Sequence, residues 1–194
     1  MTSATSPLIP LAPKPLRADA RRNRERIMVA ARAVFADKGS EAQIDDVAKR
    51  AKVGVGTVYR HFPTKEALVD AVVREGFEEI AGYAREALER DDAWEGFCEL
   101  IWRAAERNAV DMGFCEAVSS TDHSRIVEET GLAHSTELLM ERAKAAGRMR
   151  ADATEVDIPI MMAGAGAVMQ LSPEPALWRR FLTIMLDGLR AAAS

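Results

Sequence analysis

The chain has 194 residues, 48% of them hydrophobic, 29% charged and 6% aromatic, with a formal net charge of −4. This is the ordinary composition of one or two globular domains. The longest apolar run, Ile158 to Leu171, is shorter than the roughly 18–20 residues of a bilayer span and contains Pro159, which excludes a membrane helix. Two cysteines, Cys98 and Cys115, are too few for a disulfide framework.

Plentiful alanine, and no alternating runs of β-branched residues, favour an all-α fold. The charge is uneven. Met1 to Lys65 carries 13 Lys+Arg against 6 Asp+Glu, and Glu66 to Ser194 carries 13 against 24. A basic third joined to an acidic remainder fits a polyanion met at one end, although a solvated basic helix face accounts for charge alone equally well. The first residues lack a basic segment followed by an apolar stretch of leader length, so the expected location is cytoplasmic.

Residues 1–18 carry four of the eight prolines within Met1 to Leu16 and read as a flexible arm. From about Asp19 a helix begins, with Ile27, Ala30, Ala31, Val34 and Phe35 on one stripe and Gly39 at its end. A second short helix follows, with Ile44, Val47, Ala48 and Ala51 facing inward. "KVGVG" breaks it, Gly54 serving as turn residue or weak N-cap. A third helix runs from Val55 to about His61 and turns Val58 and Phe62 inward together. Pro63 stops it, and Thr64 caps a long fourth helix reaching about Leu88.

This is a helix-turn-helix arrangement. The second helix braces the third, so Thr57, Tyr59, Arg60 and His61 project outward from a narrow cylinder of the width a major groove admits. Lys65, in the first turn of the fourth helix, sits where free N–H groups and the helix dipole favour an anion. As isolated residues, Tyr59 is an ordinary half-buried aromatic and Lys65 a solvated helix-start lysine; it is their arrangement that points to nucleic acid.

At "GTVYRHFPTKEAL", preceded by "DDVAKRAKV" and "AARAVFADKG", the sequence resembles the tetracycline-repressor (TetR) family of bacterial transcriptional regulators. The resemblance covers about Ala20 to Gly82. It implies an N-terminal three-helix DNA-binding domain at 19–82 and a helical ligand-binding and dimerisation domain at 83–194. It further implies a homodimer that binds a palindromic double-stranded operator and is released by a small molecule. Carried over by position, Gly56 and Thr57 open the recognition helix against DNA, and Tyr59, His61 and Lys65 hold phosphates. Arg60 and Val55 face the groove, and Gln43 stands where the family usually has a capping threonine. Two positions depart from the pattern. Asp45 replaces a residue that is basic in many members and can accept only from a base such as cytosine. Val55 replaces a commonly polar residue and can meet only an apolar group such as a thymine methyl. Direct readout is then sparse, and the arginine-rich first helix supplies more of the affinity. A regulator-fold protein that acts through protein contacts, without sequence-specific DNA binding, is the alternative these departures leave open.

In the remaining two-thirds, Trp94, Phe97, Cys98, Ile101 and Trp102 share one helical stripe. Phe114, with Met112 and Cys115, adds to it, as do His134, Leu138 and Met140. For any single residue, core packing explains such spacing. On the resemblance, the set lines a pocket for an apolar or aromatic effector. Cys98, Cys115, His123 and His134 are scattered without ligand spacing, so free cysteines and no metal are expected. With neither a nucleophile–base pair nor a phosphate loop, the chain reads as no enzyme and as needing no cofactor. "IPIMMAGAGAVMQL" is apolar nearly all round with small residues at its centre, which suggests close helix approach. "SPEPALWRRFLTIMLDGLRAA" reads as a helix capped by Ser172, with a stripe of Ala176, Leu177, Phe181, Ile184, Met185 and Leu189. Two such helices per chain would form a four-helix bundle with a second copy.

Overall fold

In the computed structural model, residues 15–111, 113, 117, 122–172 and 174–192 are described, with side chains from residue 18 onward. Residues 1–14 of the expected arm, together with Met112, Phe114 and Cys115, lie outside the described residues. The fold is all-α. Its helices are α1 (Pro15–Lys38), α2 (Ile44–Ala51), α3 (Val55–His61), α4 (Lys65–Leu88), α5 (Ala93–Val110), α6 (Ser124–Glu129), α7 (Leu132–Ala145), α8 (Asp157–Leu171) and α9 (Pro175–Leu189). Among the described residues no helix is long and apolar enough to cross a membrane.

The helix ends follow local chemistry. Gly39 closes α1 with φ of +54°, a conformation glycine adopts without steric cost. The Thr64 hydroxyl accepts from the Ala67 N–H at 3.1 Å and so caps α4. Two ends differ from expectation. Helix α1 starts at Pro15 rather than near Asp19, because proline's fixed φ suits a first turn that needs no N–H donor. Ser172 does not cap α9. Its Oγ accepts from the Glu174 N–H at 3.2 Å in the connection, Glu174 is the N-cap, and Pro175 opens the helix.

Two hydrophobic cores share one spine. The head core is built from Ile27, Ala31, Val34 and Phe35 of α1, Val47 and Ala48 of α2, Val58 of α3, and Phe62, joined by Leu68, Val72 and Val73 from the first half of α4. The body core takes Ile80, Ala84 and Ala87 from the second half of α4 and packs them against Trp94, Phe97 and Ile101 of α5, Leu139 and Met140 of α7, and the inner faces of α8 and α9. Phe77 touches both cores. At 24 residues, α4 is about 36 Å long, long enough to run the length of both.

The two cores are also stitched by charge. Arg32 of α1 meets Glu75 of α4 at 2.8 Å and Asp111, at the end of α5, at 3.3 Å. Arg107 of α5 reaches Glu79 of α4 at 2.7 Å and Asp111 at 3.5 Å. Arg74 of α4 pairs with Glu129 of α6 at 2.6 Å. Gly113 lies against the α1 backbone so closely that an added Cβ would fall 1.9 Å from the Arg32 carbonyl oxygen. Ala117 and Ile126 belong to the head core although they follow α5 in the chain.

At the far end of the body, the Arg150 N–H donates to the Leu189 carbonyl at 2.9 Å, and the Ala191 N–H donates to Arg148 at 3.1 Å. This short antiparallel bridge, Met149 opposite Arg190, ties the "AGRMRAD" corner to the end of α9. The buried stripe of α9 is Trp178, Leu182 and Leu186. The stripe read from sequence is split: Ala176, Leu177 and Ile184 are exposed, whereas Phe181, Met185 and Leu189 are half-buried against the body core. Both faces are apolar at helical spacing, so periodicity by itself could not say which one the chain buries against itself.

Candidate nucleic-acid interface

The recognition element is built from behind. At the start of α2, the Gln43 N–H donates to the Asp46 side chain at 3.2 Å, while the Lys38 ammonium donates to the same carboxylate at 2.6 Å. These two donors, Lys38 first, hold the Asp46 carboxyl below the usual carboxylate range. The Gln43 side chain donates to the Glu41 carbonyl at 3.1 Å, so it shapes the loop that enters α2. At the other end, the Val53 N–H donates to Ala48 and the Lys52 N–H to Lys49, a crossed pair of bonds that ends the helix sharply. The left-handed residue in this turn is Lys52, with φ of +54°; Gly54, whose φ is −68°, is the N-cap of α3.

Helix α3 then presents one face inward and one outward. Val58 is wholly buried and Phe62 nearly so, each burial being worth about 1.5–3 kcal/mol. That anchoring leaves Val55, Gly56, Tyr59 and Arg60 exposed, with Tyr59 at 47%. A Cβ added at Gly56 would meet nothing within 4 Å, so internal packing does not require glycine there and the space beside it is open. Thr57 and His61 are half-buried at the edges of the face. The Nε2 of His61 is buried without a hydrogen-bond partner. Arg24 of α1 places its guanidinium 5.4 Å from the Phe62 ring centroid, bringing a further cation to the rim.

Lys65 is half-buried, and its ammonium donates to the Ser40 carbonyl at 2.8 Å. It is thus steered across the first turn of α4, with two of its three protons still to give. Asp45 is exposed at the first turn of α2, one residue before Asp46, which is engaged by Lys38 and Gln43. Sequence reasoning singled out neither Arg24 nor the anchoring partner of Lys65. The carbonyl of Ser40 carries no sequence signature, and the meeting of Arg24 with Phe62 is a tertiary contact that no local pattern announces.

The residues expected to line an effector pocket fall into two groups. Trp94, Phe97, Ile101 and Met140 are buried in the body core, with Trp94 and Phe97 stacked at 5.9 Å and Trp102 set 6.2 Å from Trp178. Cys98 and Trp102 are half-buried against the same core. Burial pushes the Cys98 thiol up to about 11. His134 and Leu138 stand four apart on the outer face of α7, while Ser135, Thr136, Leu139 and Met140 take the inner one. Among the described residues, no group of three or more His, Cys, Asp or Glu side chains is arranged to hold a metal ion.

Comparison with known proteins finds two family profiles along the chain. Residues 27–72 match the profile of bacterial regulatory proteins of the tetR family, and residues 89–191 match the C-terminal domain of SbtR-like transcriptional regulators. Over 75 residues the chain is 33% identical to the HTH-type transcriptional regulator UidR of Escherichia coli, a match covering 38% of each protein. Over 61 residues it is 44% identical to the HTH-type transcriptional repressor KstR of Mycolicibacterium smegmatis, covering 31% of this chain and 30% of that one. Similarity to these curated relatives therefore spans well under half of their length. A TetR transcriptional regulator from Streptomyces coelicolor, solved by crystallography, is similar over 88% of this chain and 99% of its own at 30% identity, with a TM-score of 0.60.

Proposed function

The chain belongs to the tetR family of bacterial regulatory proteins and is a helix-turn-helix transcriptional regulator; from that premise we propose that it acts as a homodimeric, ligand-responsive repressor of a palindromic operator. The observation that carries the reading is the outward face of α3. Val55, Gly56, Tyr59 and Arg60 stand free in one row because Val58 and Phe62 are locked behind them. Tyr59, His61 and Lys65 are assigned to phosphates, Arg60 and Val55 to the groove, and Gly56 and Thr57 to the close approach of the helix to the duplex. Gln43 and Asp45 border the duplex from the start of α2.

The dimer follows from the outer side of α8 and α9. Ile160 is 61% exposed and Ile184 56%, with Leu177 on the same side of α9 and the small residues Ala163, Gly166 and Ala167 on α8. Gly166 has nothing within 4 Å of an added Cβ, whereas Gly164 is filled by Phe181 of the same chain. One glycine thus serves the internal hairpin and the other leaves room for a second copy. Two recognition helices would then enter grooves about one helical turn apart or somewhat more.

For the effector, we assign the apolar set Trp94, Phe97, Cys98, Ile101, Trp102 and Met140 to the pocket wall; His134 and Leu138 would contribute at its rim or not at all. The part from about residue 83 onward would hold the ligand and the part from 19 to 82 would read DNA, the division falling just past Phe77, which packs against both cores. A ligand that prefers one setting of α4 would change the spacing of the two heads.

The test is selection of duplexes from a random library by the full-length chain, followed by sedimentation of the complex. A two-fold symmetric consensus bound by a dimer is the expected result. Enrichment of no sequence would refute operator recognition and favour action through protein contacts.

A further inference from the structure

The arginines of α1 look alike in sequence: Arg21, Arg22, Arg24 and Arg26 lie mostly off its apolar stripe. The structure separates them. Arg21 faces Glu25 at 3.8 Å, Arg22 pairs with Asp19, and Arg24 lies over Phe62. Of these four, Arg26 is the one that hydrogen-bonds to another element: its Nη2 donates to the carbonyls of Ala51 and Lys52, the latter at 3.0 Å.

Those two carbonyls are a demanding target. They end α2, where the last carbonyl groups lack helical partners and the dipole is negative. Lys52 is, among the described residues, the one non-glycine residue with positive φ, at +54°. A side chain in that conformation is unfavourable and persists where the surroundings over-determine it. Glycine is the usual occupant. Here a single guanidinium nitrogen, Nη2, gives its two protons to both carbonyls at once, and a lysine ammonium at this position would end one bond short of them. Because α3 begins at Val55, three residues beyond Lys52, whatever fixes this turn also fixes the direction of the recognition helix relative to α1.

We propose that Arg26 is a positioning residue for DNA recognition: its guanidinium, held by the Ala51 and Lys52 carbonyls, aims α3, and it makes no contact with phosphate. The inference rests on α3 being the helix that reads DNA. Arg26 therefore acts on sequence-specific affinity through geometry. It leaves untouched the electrostatic attraction that any duplex feels.

The experiment uses the full chain and two fluorescent duplexes, one selected from a random library by the wild-type protein and one scrambled. Anisotropy titrations are run at several salt concentrations, below the melting temperature of every variant. R26A is expected to lose about tenfold or more on the selected duplex, a loss of the size that follows when a charge-assisted hydrogen bond is removed. Its affinity for the scrambled duplex, and the slope of log K against log salt, should match the wild type. R26K, whose ammonium ends one bond short of the Nη2 position, should fall between the two with the same slope, and it carries the test if R26A does not fold. Amide exchange at Lys52 and Val53, whose N–H groups close this turn, should quicken in both variants, a readout independent of DNA. A slope reduced by about one unit means that Arg26 meets a phosphate and overturns the proposal. Unchanged specific affinity, with only a lowered melting temperature, overturns it too by making Arg26 merely structural. If the wild type enriches no duplex at all, the DNA-reading assignment fails first; quickened exchange would then still register the clamp on the turn.

Discussion

The head and the body place the same kinds of side chain on opposite sides. In the head, Tyr59 and Arg60 face solvent while aliphatics, Phe35 and Phe62 fill the core; in the body, Trp94, Phe97 and Trp178 are interior and charge is left to the rims. An aromatic amphipathic group on the outside of a short, braced helix is positioned to be met by another molecule. The same group inside a helix bundle is first of all structure, and becomes a ligand contact only where the packing yields.

The sharpest way to break the contrast is to open the body. Phe97→Ala removes a fully buried ring from α5, and a loss of about 3–5 kcal/mol is expected. Urea denaturation should show the lowered midpoint. If the site is instead a pocket wall with slack, the loss will be far smaller and an apolar compound will bind more tightly to the variant.

A smaller effect is expected at the seam. Gly113→Ala puts a methyl group into the α1 backbone at Arg32, so α1 and the segment after α5 must separate. A cost of about 1–3 kcal/mol follows from such overpacking. Because Arg32 also anchors Asp111 and Glu75, the displacement should change duplex affinity although no residue near DNA is altered. Duplex affinity equal to the wild type, with a lowered melting temperature, would show that head and body are joined without being coupled.

On the head, Lys65→Ala should flatten the salt slope by about 0.9 and weaken duplex binding several-fold. Loss of the bond to the Ser40 carbonyl should lower stability by about 1 kcal/mol at most, since the group is partly solvated. A slope that does not move would leave Lys65 with its internal carbonyl as its sole partner.

What was legible in the sequence follows from the same contrast. Thr64, Pro63 and Gly39 punctuate the head through local chemistry, and the helices end where they indicate. The turn was half legible: glycines announced it, but the left-handed residue is Lys52, and what supports it is Arg26, which is 26 residues away in sequence. Ser172 misled because a serine before prolines caps a helix or closes a turn with the same hydroxyl. The α9 stripe misled differently, since Leu177 and Ile184 form a face as regular as Trp178, Leu182 and Leu186. Likewise His134 and Leu138 share a face of α7 that only packing identifies as the outer one. Wherever a helix is apolar on two sides, sequence supplies the helix and tertiary contact chooses the side.

Cys98 offers the mildest probe of the body, because nothing need be mutated. Its thiol is half-buried against the core and pushed up to about 11 by burial first, with Arg190 pulling weakly the other way. The thiolate is the reactive form, so at pH 8 only about 0.1% of the folded protein should react at any instant, against roughly a quarter for an unperturbed thiol. Iodoacetamide should therefore modify Cys98 roughly 250-fold more slowly in the folded chain than in urea, as read by peptide mass spectrometry. Raising the pH from 8 to 9 should speed the folded-state reaction about tenfold, because the thiolate fraction climbs tenfold per pH unit while the pH stays below the pKa. A folded-state rate close to that of the unfolded chain, already levelling off by pH 9, would mean that the α5 seam is open to water. The body would then be presenting its groups to visitors much as the head does, and the division of labour between the two halves would have to be abandoned.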